Sequence, residues 1–175
     1  MYVNLLVLDC SNNNLTTLDN LPSSLKILYC EYNKLTSLDN LPHGLLKLIC
    51  SINKLTSLDN LPYNIIELYC YYNLINKLDN LPPNLHKLHC SNNQITSLDN
   101  LPSNLKILHC SNNQITSLDN LPSSLKELYC NGTKLKSLDN LPHGLKKLNC
   151  YDNPFIYDFN PTLVNIRNYN TSSMT

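Results

Sequence analysis

The residues that could do chemistry in this sequence recur at one fixed spacing. Thiols form disulfides, bind zinc or act as nucleophiles only where partner groups converge on them. The sequence repeats every twenty residues, with one cysteine in each repeat. If each repeat adds one strand to a parallel sheet, the thiols lie in one column with a spacing of about 4.8 Å. Their Cβ atoms are then too far apart for a relaxed disulfide. We therefore predict buried free thiols that act as small apolar side chains. These eight cysteines, twenty residues apart, are Cys10, Cys30, Cys50, Cys70, Cys90, Cys110, Cys130 and Cys150.

Two histidines follow the same spacing. His89 and His109 each precede a cysteine, so neighbouring strands would hold their imidazoles about 5 Å apart. Such a pair could hold a divalent metal, or repel when both rings are protonated. No third ligand converges, because Cys90 and Cys110 would point to the opposite face. We predict no metal site and no cofactor.

Composition excludes several further classes of function. The chain has 13 basic and 13 acidic side chains, so no overall field recruits nucleic acid or an anionic membrane. It contains no apolar run of the roughly 18 residues that a membrane span needs. Each repeat offers the same residue type to the same face, so no catalytic triad or carboxylate pair converges. We predict a protein that is not an enzyme and that binds neither nucleic acid nor membrane.

The elements that position these residues are eight copies of one unit. The skeleton LxxLxCxxNxLTSLDNLPxx begins at Leu5 and returns every twenty residues, without a gap, as far as Leu145. Periods of about 20 to 50 residues indicate a solenoid. The alternation from Leu28 to Cys30 predicts a short strand. Pro42 removes a backbone donor and disfavours helix, so the return segment of each unit should be extended or polyproline-like.

Stacking of such units defines the fold class. One unit cannot bury its own leucines, whereas neighbours on both sides can cover them. We predict a right-handed solenoid with a parallel β-sheet on its concave face, extended convex segments and little helix, which is α/β by convention. At the end of each strand we expect an asparagine to bond to backbone groups of adjacent turns. These ladder residues are Asn13, Asn33, Asn53, Asn73, Asn93, Asn113 and Asn153, with Thr133 in the remaining position.

The repeat resembles the leucine-rich repeat. LKILHCSNNQI at 105–115 fits the pattern L-x-x-L-x-L-x-x-N/C-x-L, with Cys110 in place of the third leucine and Asn113 at the asparagine position. The twenty-residue length and the LPxxL return are similar to the repeats of bacterial effector proteins. The CSNN…LTSLDNLP wording is similar to mimivirus-like repeat proteins of giant viruses. The resemblance implies a protein-interaction scaffold and, for a viral protein, the host cytoplasm. Some effectors append a ubiquitin ligase with a nucleophilic cysteine, which has no counterpart after Cys150.

Function in such a fold should lie in the variable positions of the concave face. Tyrosine gives a large contact area at a low entropic cost and is enriched in binding hot spots. The aromatic residues could bind a protein partner, or they could only stabilise an exposed sheet through cross-strand stacking. We predict a partner-binding patch. Its members are Tyr29, Tyr32, Ile49, Tyr69, Tyr71, Tyr72, His89, His109 and Tyr129.

The ends of the chain depart from the repeat. We predict a solenoid over residues 1–153 and a capping segment over 154–175, with a frayed tail from Asn168. The first ten residues, MYVNLLVLDC, lack the features of a secretory leader, which favours an intracellular, reducing compartment. The apolar first strand, from Leu5 to Leu8, has no visible cover, and uncovered edges pair. We hypothesise a homodimer through this edge, which a strictly monomeric mass in light scattering would contradict. A structural, self-associating particle component is the alternative function.

Overall fold

The computed structural model describes residues 4–172. Its strands are three residues long and occur once in every twenty. The outer ends of the two predicted segments, residues 1–3 and 173–175, lie outside the described residues. The strands are β1 (Val7–Asp9), β2 (Ile27–Tyr29), β3 (Lys47–Ile49), β4 (Glu67–Tyr69), β5 (Lys87–His89), β6 (Ile107–His109), β7 (Glu127–Tyr129) and β8 (Lys147–Asn149), and one helix follows, α1 (Leu163–Ser172).

All eight strands form one parallel sheet in sequence order, from β1 to β8. The register never shifts, so each residue pairs with the residue twenty positions later, as Leu28 pairs with Leu48. The unbroken twenty-residue period therefore becomes a set of straight columns of like side chains. The predicted fold class, a solenoid with a parallel concave sheet, is confirmed.

The core consists of the columns that the repeat assigns to the interior. In the second repeat Leu25, Leu28, Cys30 and Leu35 are fully buried. The thiols are free, and all are buried except that of Cys10, which is half-buried. Loss of solvation raises the pKa of every one of these thiols, and that of Cys90 rises to about 12. They are therefore protonated at neutral pH and pack as small apolar groups.

The turns after most strands are held by a buried or half-buried asparagine amide. The exceptions are Thr133 after β7 and the exposed Asn13 after β1, whose amide donates to the Cys10 and Ser11 carbonyl oxygens of its own repeat. Asn33 accepts a hydrogen bond from the N–H of Leu15 at 2.9 Å, through Oδ1. Its Nδ2 donates to the carbonyl oxygens of Cys10 and Cys30, at 3.0 and 3.1 Å. One side chain thus satisfies backbone groups of two successive repeats that the short strands leave without partners. The same three bonds recur at Asn53, Asn73, Asn93 and Asn113.

The return segment has no helix in any repeat, as the proline of the DNLP motif predicts. It contains two turns, one at the asparagine of DNLP and one after its proline. Asn20 adopts a left-handed conformation with φ of 58°, which asparagine tolerates better than most residues, and the N–H of Leu25 then bonds to the carbonyl of Pro22 at 3.1 Å. Between repeats the Asn120 amide donates to the Asp99 carboxylate at 2.7 Å. The aspartate and asparagine of DNLP therefore tie neighbouring convex turns together.

The C-terminal segment differs from the expected frayed tail. Helix α1 continues to Ser172, and its Ile166 is fully buried in the core cluster of the solenoid. The guanidinium of Arg167 donates to the carbonyl oxygens of His143 and Leu145, at 3.0 and 2.8 Å. The last repeat thus receives from this helix both an apolar side chain for its core and a hydrogen-bond donor for its backbone carbonyls. Between residues 4 and 172, no helix is both long and apolar enough to cross a bilayer.

The asparagine ladder generates a stability prediction. Asn113 is 2% exposed and bonds to the Ile95 N–H and to the Cys90 and Cys110 carbonyls. Asn113→Ala leaves these groups buried with fewer partners, so we expect it to lower the free energy of unfolding by about 3 kcal/mol, measured by urea denaturation. Exposed Gln114→Ala is the control and should change it by less than about 0.5 kcal/mol.

The reciprocal change completes this test. Thr133 donates to the Cys130 carbonyl at 3.0 Å, but within residues 4–172 its hydroxyl makes no bond to the N–H of Ile115. Thr133→Asn restores the missing rung and should raise the free energy of unfolding by about 1 kcal/mol. Equal stability of the Asn113→Ala variant and the wild type would contradict the role given to the ladder.

Candidate binding face

The outward side chains of the sheet bring aromatic rings from separate repeats into one row. Register pairs Tyr69 with His89 and His89 with His109, and then pairs His109 with Tyr129. Tyr71 follows the end of β4 and reaches the same row. All five side chains are half-buried, so each ring has one face against its neighbours and part of its surface in solvent.

Ring distances show a nearly continuous stack. The Tyr71 and His89 centroids are 4.6 Å apart, those of His89 and His109 are 4.8 Å apart, and those of His109 and Tyr129 are 4.1 Å apart with planes inclined by 14°. Tyr69 meets His89 edge to face at 6.2 Å. We call these five residues the aromatic row. Mutual packing fixes the rings, so the row presents a rigid surface.

Charged groups alternate beside the aromatic row. Lys47 forms an ion pair with Glu67 at 3.0 Å, and Lys147 forms one with Glu127 at 2.9 Å. Lys87 lies between these pairs, with its ammonium 5.1 Å from the Tyr69 ring centroid. Within the described chain, residues 4–172, Lys87 has no carboxylate partner. The centre of the face therefore carries one cation without an ion pair, close to a tyrosine ring.

The histidines of the row are neutral at physiological pH. Burial lowers the pKa of His89 to about 4, and the neighbouring His109 and Lys87 add to the effect. Burial also lowers the pKa of His109. Both rings can therefore stack as uncharged aromatic groups.

The structure places the sequence-predicted residues in several settings. Tyr69, Tyr71, His89, His109 and Tyr129 form the aromatic row, whereas Tyr32 and Tyr72 lie at the turns where strands end, with positive φ. Tyr72 still touches the row, since its ring meets that of Tyr71 edge to face at 5.9 Å. Ile49 is buried. Within residues 4–172, neither Tyr29 nor Tyr32 has a ring contact with the row. The predicted patch is thus divided, and its ordered part lies nearer the C-terminal half than expected.

Sequence reasoning missed the two ion pairs. Their signal was nevertheless present, because Lys47 and Glu67 stand twenty residues apart in one outward column, as do Glu127 and Lys147. It also missed the ring cluster at the C-terminal end, where Tyr157 stacks on Phe159 at 5.0 Å. That cluster lies outside the repeat, so no column indicates it.

The outward side chains of the sheet provide groups suited to contact with another molecule. Among residues 4–172, no three histidine, cysteine or acidic side chains come together as metal ligands. The two imidazoles have tyrosines and Lys87 beside them, with the Glu127 carboxylate also near His109, and the nearest thiols face the core. The face offers aromatic surface, hydrogen-bonding tips and charge.

Comparison with known proteins agrees with this architecture. The sequence model of the family described as Leucine Rich repeats (2 copies) matches residues 83–123 and 103–143. A search of curated proteins found no significant match. Similar solved structures include YopM from Yersinia enterocolitica, which is 32% identical with a TM-score of 0.76 over 90% of this chain and 39% of that one.

Two further structures are similar. The functional domain of InlJ from Listeria monocytogenes, described as including a cysteine ladder, is 36% identical with a TM-score of 0.74 over 85% of this chain and 35% of that one. The leucine-rich repeat domain of a Shigella effector is 29% identical with a TM-score of 0.77 over 97% of this chain and 76% of that one. The chain thus spans little more than a third of the YopM and InlJ chains.

These matches agree with the repeats and the parallel-sheet solenoid seen in the structure. The proteins of this fold that it resembles include bacterial effectors. Residues 83–143 carry leucine-rich repeats, and the chain folds as a leucine-rich repeat solenoid.

Proposed function

We propose that the protein is a non-catalytic interaction module that binds a protein partner through the concave sheet. Leucine-rich repeat proteins are typically protein-interaction scaffolds, which supports the general class. The observation that carries the proposal is the aromatic row, five half-buried rings fixed against one another beside the cation of Lys87.

The physical reason lies in the cost of binding. A flexible surface must lose side-chain entropy when a partner arrives, whereas rings already fixed by stacking lose little. Tyrosine also offers a hydroxyl for hydrogen bonds, and tyrosines are common among the few residues that dominate interface energies. The competing interpretation, that stacking only stabilises the sheet, predicts loss of stability without loss of binding when a ring is removed.

The test uses one tyrosine in the row and one outside it. A partner is first captured, identified and purified, and its affinity is measured by calorimetry with the full chain. Tyr71→Ala should weaken binding at least 30-fold, about 2 kcal/mol, as expected for an interface anchor. The control Tyr63→Ala removes a tyrosine that is 66% exposed on a return segment and should leave affinity unchanged. Equal affinities of the two variants would contradict the proposal.

The depressed pKa of His89 gives a pH prediction. The unfolded chain takes up this proton near pH 6.5, but the folded chain takes it up only near pH 4, so stability falls as the pH drops through that window. Because the ring is partly exposed and solvent screens the effect, we expect His89 to account for at most about 1 kcal/mol of lost unfolding free energy between pH 7.5 and 5.5. Urea denaturation of His89→Gln should show a shallower decline. Parallel declines in the wild type and the variant would contradict a neutral, stacked His89.

A further inference from the structure

One position in every repeat holds a backbone conformation that most residues avoid. It is the second residue after the cysteine, where the chain leaves the sheet and begins to turn. At each of the eight copies φ lies between 53° and 62°, in the left-handed region. The residues are Asn12, Tyr32, Ile52, Tyr72, Asn92, Asn112, Gly132 and Asp152.

Three consecutive copies have residues poorly suited to this conformation. Asparagine, aspartate and glycine tolerate a positive φ and occupy the other five copies, but tyrosine is unfavourable there and β-branched isoleucine is more so. Tyr32 and Tyr72 are 51% and 56% exposed, and Ile52 is only half-buried. Core burial therefore does not explain why Tyr32, Ile52 and Tyr72 stand where asparagine would suffice. Unfavourable backbone geometry of this kind is concentrated at functional sites.

A second anomaly lies beside the first. Within residues 4–172, only two buried side-chain polar atoms lack a hydrogen-bond partner, Oε2 of Glu31 and Oγ of Ser51. They belong to neighbouring repeats, since the N–H of Tyr32 bonds to the carbonyl of Ser51 at 3.1 Å. Glu31 also forms no ion pair with any residue in that range. A partly buried carboxylate without a cation is costly, and it indicates a group that is completed by something else.

We infer that Tyr32, Ile52, Tyr72 and Glu31 form a docking site for a basic side chain of the protein partner, an arginine or lysine next to an apolar residue. We call these four residues the strand-exit patch. This inference rests on the proposed interaction function and names the chemistry of the bound segment. The carboxylate of Glu31 pairs with the cation, and the tyrosine rings attract it through their faces. The half-buried side chain of Ile52 packs against the apolar neighbour.

The surrounding charges set the direction of approach. Lys34 and Lys54 are exposed two residues beyond Tyr32 and Ile52 in the chain, whereas Glu31 directly follows Cys30 at the end of the strand. In this proposal the basic group approaches at the Glu31 end of the turn, where it avoids the two lysines. Leu74, which takes the place of these lysines in the next repeat and is 46% exposed, extends the apolar surface towards the centre of the molecule.

The first test separates strain from ordinary packing. In the full chain, Tyr32, Ile52 and Tyr72 are replaced together by asparagine, the residue found at three equivalent positions. The urea midpoint should rise, because asparagine fits the left-handed conformation. The matched reverse change, Asn92→Tyr, should lower the midpoint. A triple variant that is less stable than the wild type would overturn the inference, because these side chains would then be structural.

The second test measures ligand chemistry with a phage library of random dodecapeptides selected on the immobilised full chain. Peptides recovered on the wild type should be enriched in arginine or lysine beside leucine, isoleucine or phenylalanine. Their affinity, measured with synthetic copies, should fall at least tenfold on Glu31→Gln and on the triple asparagine variant. Enrichment in acidic residues, no enrichment, or equal affinity for Glu31→Gln would overturn the inference.

The outcomes also distinguish this site from the aromatic row. If the peptides and the partner lose affinity on Tyr129→Ala but retain it on the triple asparagine variant, the proposed function stands and the strand-exit patch is wrong. If the triple variant loses both while Tyr129→Ala retains them, the patch stands without the row. Tyr129 lies three strands beyond Tyr72, but Tyr72 also meets Tyr71 of the row edge to face, with ring centroids 5.9 Å apart. The Glu31→Gln variant leaves that ring contact intact and therefore decides between the patch and the row.

Discussion

The solenoid depends on a buried amide that serves two repeats at once. Strands of three residues cannot satisfy the backbone groups of the turns that follow them, and those groups lie against an apolar core. In the middle of the solenoid the asparagine after each strand, from Asn33 to Asn113, accepts from one N–H and donates to two carbonyls. Because the bonds join successive repeats, each rung is complete only when the next is in place. This mutual dependence is the physical origin of the strict register.

Once the register is fixed, inward and outward columns have different tasks. The inward columns have the same residue types in every repeat, because the cross-section of the core is the same in every turn. These residues are leucine or isoleucine and cysteine with a protonated thiol. The outward columns are free to vary, since a change there alters neither the asparagine ladder nor the core packing. The aromatic row and the strand-exit patch are such variations. Both lie on the outer surface of the sheet or at its edge, where a partner can reach several repeats together.

The fold could be predicted well from the sequence, because the twenty-residue period determines how the repeats stack. A twenty-residue repeat with fixed positions for leucine, cysteine and asparagine leaves one way to bury the leucines, and the structure has that arrangement. The helix Leu163–Ser172 was not predicted because residues 154–175 lie outside the repeat and have no column to place them. The candidate binding face was predicted only in part. The column before each cysteine showed that His89, His109 and Tyr129 are neighbours, but not that Tyr71, from the column after the cysteine, joins the stack.

Two features of the candidate site could not be predicted from the sequence and are seen only in the structure. The left-handed conformation of Tyr32, Ile52 and Tyr72 is a backbone property, and the asparagines at equivalent positions indicated it only indirectly. The missing partner of the Glu31 carboxylate depends on side-chain placement, since a nearby lysine in the sequence can lie on the other side of a turn. The outward positions of the sequence predicted which residue types lie on the surface. Only the structure distinguishes the aromatic row from Tyr29 and Tyr32, which have no ring contact with it within the described residues.

We propose that the variable outward columns, and not the repeated convex turns, bind the partner. Hydrogen–deuterium exchange of the full chain, alone and saturated with a purified partner, distinguishes these two surfaces. We expect added protection in β3 to β7 and in the turns after Cys30, Cys50 and Cys70, with no change in the DNLP turns. Protection confined to the DNLP turns, with the sheet unchanged, would contradict it.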